Sequence, residues 1–257
     1  MSLRTISILL ALLVGFTAGA RAQVHSETGE RAEALYREGR YELAQELWRA
    51  QLDAAAEQGT EPVDTLYNLG NAAFRQRKPL EAAAWYTAAI RVQPRNEAAW
   101  HNLEFVRREA GLEPADRGDL TATGLRFASS LTLAESERVV LALAGLLALA
   151  LGWEALRGGV GSRALAWVLA GCLALALVPW CWQLRHAGRD MLFVTQPEGA
   201  ALLSEPRDGA TLVSRAPAAT EVERTDALAG WWRVRTSDGT SGWIAEPSAQ
   251  ALQSPWR

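Results

Sequence analysis

Residues 63–96 read VDTLYNLGNAAFRQRKPLEAAAWYTAAIRVQPRN, and the fold of the first half of the chain turns on this stretch. Small residues stand at Gly70, Ala82 and Ala89. At such places two consecutive helices can cross closely. Leu66, Leu69 and Tyr86 are the larger side chains that fill the space between their turns. Pro94 cannot continue a helix, so it ends the second one and sets the angle to whatever follows.

That pattern resembles a tetratricopeptide repeat along all 34 residues. Leu66, Leu69 and Gly70 stand at its fourth, seventh and eighth places, with Ala82, Tyr86, Ala89 and Pro94 at the later ones. A weaker copy lies 38 residues upstream, with Ala32, Ala44 and Trp48 in the places of Gly70, Ala82 and Tyr86. Gln51 stands there where alanine is expected, and the link at residues 57–62 is longer than standard. A half repeat follows, with Trp100 and Leu103 in register and Glu104 in place of the small residue, so its helix is expected to cap the stack. The resemblance implies an all-α array of about five helices over residues 25–113, near the minimum that such stacking needs. Stacked repeats present a concave groove to an extended peptide or partner helix. Glu33, Tyr67, Asn68, Asn71, Arg75 and His101 are expected to face it, the asparagines as partners for a peptide backbone or simply as solvated surface.

Composition excludes several function classes. The 257 residues carry a net charge of −3 (Lys+Arg 26, Asp+Glu 29), so no basic field points to nucleic acid. The three histidines, His25, His101 and His186, are far apart and lack metal-ligand spacing. The two cysteines, Cys172 and Cys181, fall on roughly opposite faces of a helix and read as packing or membrane-facing residues. No phosphate-binding loop, nucleophile elbow or zinc-protease motif is present. No cofactor, metal or catalytic residue is expected.

Apolar residues, 49% of the chain, are gathered in three runs. Arg4, the run Ile6–Phe16 and Ala20-x-Ala22 match a secretory signal peptide spanning residues 1–22; an uncleaved anchor is the alternative. The second run, residues 139–156, reaches roughly 27 Å as a helix, a marginal span. The third, residues 164–182, has no charge and spans more securely. Residues 114–138 read as a linker, and the glycine-bearing loop 157–163 as a tight cytoplasmic turn that makes the two spans antiparallel neighbours. Ala166, Ala170 and Ala174 give a small-residue stripe for close approach. If residues 23–138 are exported, the second span brings the chain back to the same side.

Residues 190–252 change character. Strand-like pieces at 191–195, 200–204, 210–213, 220–224, 231–236 and 242–244 alternate with Pro, Gly and Asp turns. Ser237-Asp238-Gly239 is a hairpin turn. The stretch WWRVRTSDGTSGWI, residues 231–244, resembles the bacterial SH3 family, as does Leu202-Leu203-Ser204-Glu205-Pro206 upstream. The family's usual glycine before the central strand is replaced by Pro217-Ala218-Ala219. The resemblance implies a small all-β barrel with an aromatic ligand face, for which Trp231, Trp232 and Trp243 are the candidates. Strand alternation sets Trp232 with Val234 on one face and Trp231 with Arg233 on the other, so at least one tryptophan belongs to the core.

The whole order of signal, repeats, membrane hairpin and SH3-like module resembles the BatE proteins of the bacterial aerotolerance operon. That resemblance implies a non-enzymatic scaffold in the inner membrane, with both modules in the periplasm. Its partners would be von Willebrand A-type membrane proteins and, indirectly, a MoxR-type ATPase, alongside membrane lipid. The competing expectation is a cell-wall binder that grips peptidoglycan peptides.

Overall fold

The computed structural model describes residues 27–58, 63–114, 130–157, 160–187 and 189–252. The expected signal segment, most of the 114–138 linker and His25 lie outside the described residues. The repeat region forms helices α1 (27–37), α2 (Tyr41–Gln58), α3 (Val63–Arg75), α4 (Pro79–Val92) and α5 (Glu97–Glu109). The close crossing of α3 on α4 comes from Gly70. A Cβ there would stand 2.6 Å from Cε1 of Tyr86, whose ring is buried against the glycine. Ala32 and Trp48, the upstream counterparts, are also buried. At the capping end, Asn96 Oδ1 accepts from Ala99 N at 3.0 Å and starts α5, while Trp100 Nε1 donates to the carbonyl of Pro94.

The first helix of each unit ends the same way. Gly39, Arg77 and Gly111 take left-handed φ values of 80°, 61° and 67°. The following N–H then returns to the carbonyl five residues back, Arg40 to Leu35, Lys78 to Ala73 and Leu112 to Arg107. This is the Schellman closure, which favours glycine; in the middle unit the residue is arginine.

Two long helices follow, α6 (Leu133–Arg157) and α7 (Val160–Ala187). Both contain segments long and apolar enough to cross a membrane. The first is longer than its apolar run. Thr132 and Glu135 close a capping box, Glu135 N on Thr132 Oγ1 and Thr132 N on Glu135 Oε2, which starts the helix before Val139. Its 25 residues reach about 37 Å, but the added first turns carry Glu135, Glu137 and Arg138, so the apolar part keeps the length of residues 139–156. The expected loop 157–163 is also shorter, since Gly161 and Arg163 are helical and Arg163 Nε holds Glu154 Oε1 at 2.8 Å. In the small-residue stripe, Ala166 is buried and Ala170 half-buried, but Ala174 is exposed. The seam drifts because 3.6 residues per turn carries a strict four-residue spacing around the helix. Most other apolar side chains of the pair face outward, Leu149, Trp167 and Leu175 among them.

Seven strands form one antiparallel sheet: β1 (Met191–Val194), β2 (Ala200–Leu203), β3 (Leu212–Ala216), β4 (Glu221–Leu228), β5 (Trp231–Arg235), β6 (Ser241–Ala245) and β7 (Ala249–Leu252). The order is β3-β2-β6-β5-β4-β1-β7, with a 3-10 turn, Glu246–Ser248, leading into β7. Leu192, Val194, Leu202, Val222, Val234 and Ile244 fill its core. The third strand lies two residues later than the sequence suggests, and β7 was not expected. Ala219 takes the position usual for glycine with φ 58°, held by its N–H on the carbonyl of Val194 at 2.9 Å.

The helical array and the sheet share a core. Helix α4 packs on β1 and β7, and Phe193 (2% exposed) and Leu252 (1%) belong to the cluster built by the helices. Arg91 Nη1 meets Glu221 Oε2 at 2.6 Å, and Arg107 Nη1 donates to the carbonyl of Ala219 at 3.3 Å. Burial pulls the Arg107 guanidinium below its ordinary value, while Glu104, Glu113 and Glu221 hold it up. Helix α4 is therefore buried on both sides. This explains why its alanines extend beyond the repeat pattern: Ala83, Ala84 and Ala88 are as buried as Ala82 and Ala89.

Candidate binding sites

The concave side of the array holds a pocket of about 280 Å³. Asn71 and His101, two of the residues expected there, line it, together with Tyr36, Phe74, Asn102 and Phe105. Beneath it runs a network of side-chain hydrogen bonds. Tyr86 Oη donates to Asn71 Oδ1 at 2.7 Å, and Asn102 Nδ2 donates to Asn71 Oδ1 at 3.2 Å and Tyr67 Oη at 3.0 Å. Burial pushes the Tyr86 hydroxyl far above the ordinary tyrosine value, so it stays a neutral donor. Asn71 Oδ1 thus accepts two hydrogen bonds within the array.

The other expected groove residues fall differently. Tyr67 supports the network rather than lining the pocket, and Asn68 is half-buried outside it. Arg75 lies over the rings of Tyr41 (4.7 Å) and Tyr36 (5.9 Å) and does not line the pocket. Glu33 is exposed on α1 without lining the pocket. Sequence reading missed the aromatic pair Tyr36 and Phe74. A signal was there, since they are 38 residues apart, the offset of the two repeats. Asn102 carried no such mark.

The three tryptophans divide between faces. Trp232 packs against the sheet core beside Val234, with the Arg224 guanidinium 5.4 Å from its ring. Trp231 lies on the opposite face by alternation, and Arg233 pairs across to Trp243, which in turn neighbours Leu203. Trp231 and Trp243 are both half-buried, and Arg233 between them is exposed. The outer aromatic surface is thus a pair of tryptophans around an arginine. The hairpin beside it is pinned by Asp238, which accepts from Thr236 Oγ1 and from Thr240 N at 3.0 Å. Those bonds hold its carboxyl below the usual range.

Residues 63–96 match the family model of the tetratricopeptide repeat, and residues 198–250 that of the bacterial SH3 domain. The chain carries both modules. No curated protein matches it. Modules of these two kinds are typically non-catalytic and serve interaction. Among the described residues no cluster of His, Cys, Asp or Glu could hold a metal ion.

Proposed function

We propose that the protein is a membrane-anchored envelope scaffold that binds protein partners through its tetratricopeptide groove and its SH3 face. The observation that carries this reading is the packing of α4 on β1 and β7. Two modules that share a core must lie in one compartment. A chain that crosses the bilayer between them can do so only by crossing twice, as α6 and α7 would. The outward-facing leucines and tryptophans of that pair are what a lipid surroundings would cover. An N-terminal export signal would then put both modules in the periplasm of the inner membrane.

In this reading the partners are other membrane proteins, and the module order favours the von Willebrand A-type proteins and MoxR-type ATPase of an aerotolerance complex. Co-purification of the full-length chain from native membranes tests it. Partners retained by the native chain and lost on His101→Glu together with Asn71→Ala support the groove as the contact. An alkaline phosphatase fused after residue 252 should be active; activity of a cytoplasmic reporter there instead defeats the topology.

A second reading, a cell-wall binder, is favoured by the Trp231–Arg233–Trp243 face. Purified muropeptides that bind the full-length chain and lose affinity on Trp243→Ala would select it. Trp232 is the wrong residue for that test, because its loss would open the core.

A further inference from the structure

Between the tetratricopeptide array and the SH3 sheet lies a second cleft, of about 690 Å³, on the side of α4 away from the concave groove. Trp85 of α4 and Trp232 of β5 line it, with β7 contributing Ala249, Gln250 and Ala251. Four features of this cleft point to a ligand rich in acceptors.

Trp85 is only 5% exposed, yet its indole N–H has no hydrogen-bond partner, and neither has the buried amide nitrogen of Gln250. Buried donors are ordinarily satisfied, so two in one cleft need an account. Second, β7 is an edge strand. The carbonyl of Ser248 faces β1, where Thr195 N donates to it at 3.1 Å. Alternation then turns the backbone groups of Ala249 and Ala251 to the free edge. Such an edge is a template for an added strand.

Third, the cations are unevenly used. The Glu81 carboxylate takes Gln45 at 2.5 Å, Arg49 at 2.6 Å and Lys78 at 3.9 Å. The Arg77 guanidinium has no partner among the described residues, and Glu246 at the far side of the cleft is the opposing charge. Fourth, Arg77 occupies the left-handed Schellman position that Gly39 and Gly111 fill in the neighbouring units. A side chain at positive φ, where glycine fits freely, is uncommon, and here it is among the residues that line the cleft.

We propose that this cleft binds an extended segment of a partner protein, laid along the β7 edge, with a carboxylate side chain of that segment against Arg77. Trp85 and Gln250 donate to its backbone carbonyls, and the two tryptophans flank it. Its lining shares no residue with the concave pocket.

The test uses the full-length chain in nanodiscs. The probe is a fluorescein-labelled hexapeptide alternating alanine and glutamate, which sets all its carboxylates on one face when extended. Its glutamine counterpart is the control, and binding is read by fluorescence anisotropy. The glutamate peptide should bind more tightly than the glutamine peptide. Arg77→Gly should weaken it about tenfold, the scale of one hydrogen-bonded charge. Glycine suits φ 61° at residue 77, so this variant should melt no lower than the native chain, which separates lost binding from lost folding. Equal affinity for the two peptides, or an Arg77→Gly variant that binds as tightly as the native chain, overturns the proposal. So does a purified muropeptide that binds in an Arg77-dependent way where the glutamate peptide does not.

Discussion

Replacing Gly70 by alanine sets two known effects against each other. Alanine in a helix interior is favoured over glycine by about 1 kcal/mol. Against that, the new methyl would lie 2.6 Å from Cε1, 2.7 Å from Cδ1 and 3.0 Å from Cζ of Tyr86. Ordinary carbon contacts are about 3.5–4.0 Å, so the ring would have to retreat by close to 1 Å. It has little room, being 1% exposed and tied through its hydroxyl to Asn71. Overpacking of this kind costs roughly 1–3 kcal/mol, and a displaced Tyr86–Asn71 bond adds about 1 kcal/mol. The net expectation is a loss of about 1–3 kcal/mol. For a unit the size of the helical array that is a fall in Tm of at least about 4 °C. Thermal denaturation of the full-length chain in detergent, followed by helical circular dichroism, measures it. Gly29→Ala is the matched control, because its added Cβ meets only the end of the Gln51 side chain, at 3.4 Å or more. A Gly70→Ala variant as stable as the native chain would refute the claim that this glycine sets the crossing of α3 and α4.

Tyr86→Phe should cost about 1 kcal/mol by removing a buried donor, read in the same melt. It should also change the alkaline limit. Tyr86 ionises far less readily folded than unfolded, so its contribution is full below the unfolded value of about 10 and is lost as pH rises above it. The native chain should therefore lose stability above that pH more steeply than Tyr86→Phe. At the other end of the scale, the Asp238 carboxyl is depressed in the folded hairpin. Its contribution is present at neutral pH and fades as pH falls through the depressed value, so Asp238→Asn should flatten the acid limb of the SH3 domain's stability curve. Gly199 has φ 75°, and a Cβ there would stand 2.4 Å from the carbonyl oxygen of Ala216. Gly199→Ala should cost at least about 2 kcal/mol and disrupt the pairing of β2 with β3, seen as lost near-ultraviolet dichroism.

What the chain reveals before folding is what is local or periodic. Gly70, Ala82 and Tyr86 announce the repeat because their spacing is that of one helix pair against the next. The Trp231–Ile244 hairpin is legible for the same reason, since its turn and both strands are contiguous. What depends on distant partners is not. The sequence Ala-Gln-Ala-Leu of β7 has little strand preference of its own and pairs with β1, nearly sixty residues away. The burial of Ala83, Ala84 and Ala88 has no local sign, because α4 packs on α3, α5, β1 and β7 together and the two strands are distant in the chain. The start of α6 was legible in principle: Thr132-Leu133-Ala134-Glu135 is a capping-box sequence. It was masked by the stronger hydropathy signal a turn later. The groove was half legible. Asn71 and His101 followed from their repeat positions, whereas the Tyr86–Asn102–Tyr67 network needed the three helices assembled.

Trp85 and Tyr86 are consecutive in α4, yet one lines the cleft beside the SH3 sheet and the other lines the concave pocket. One rigid helix therefore forms a wall of both sites. A ligand that displaces α4 in either site changes the energy of the other, and thermodynamic reciprocity requires the effect to be equal in both directions. The partition between the two sites is a single helix thick, so any coupling between them would run through α4.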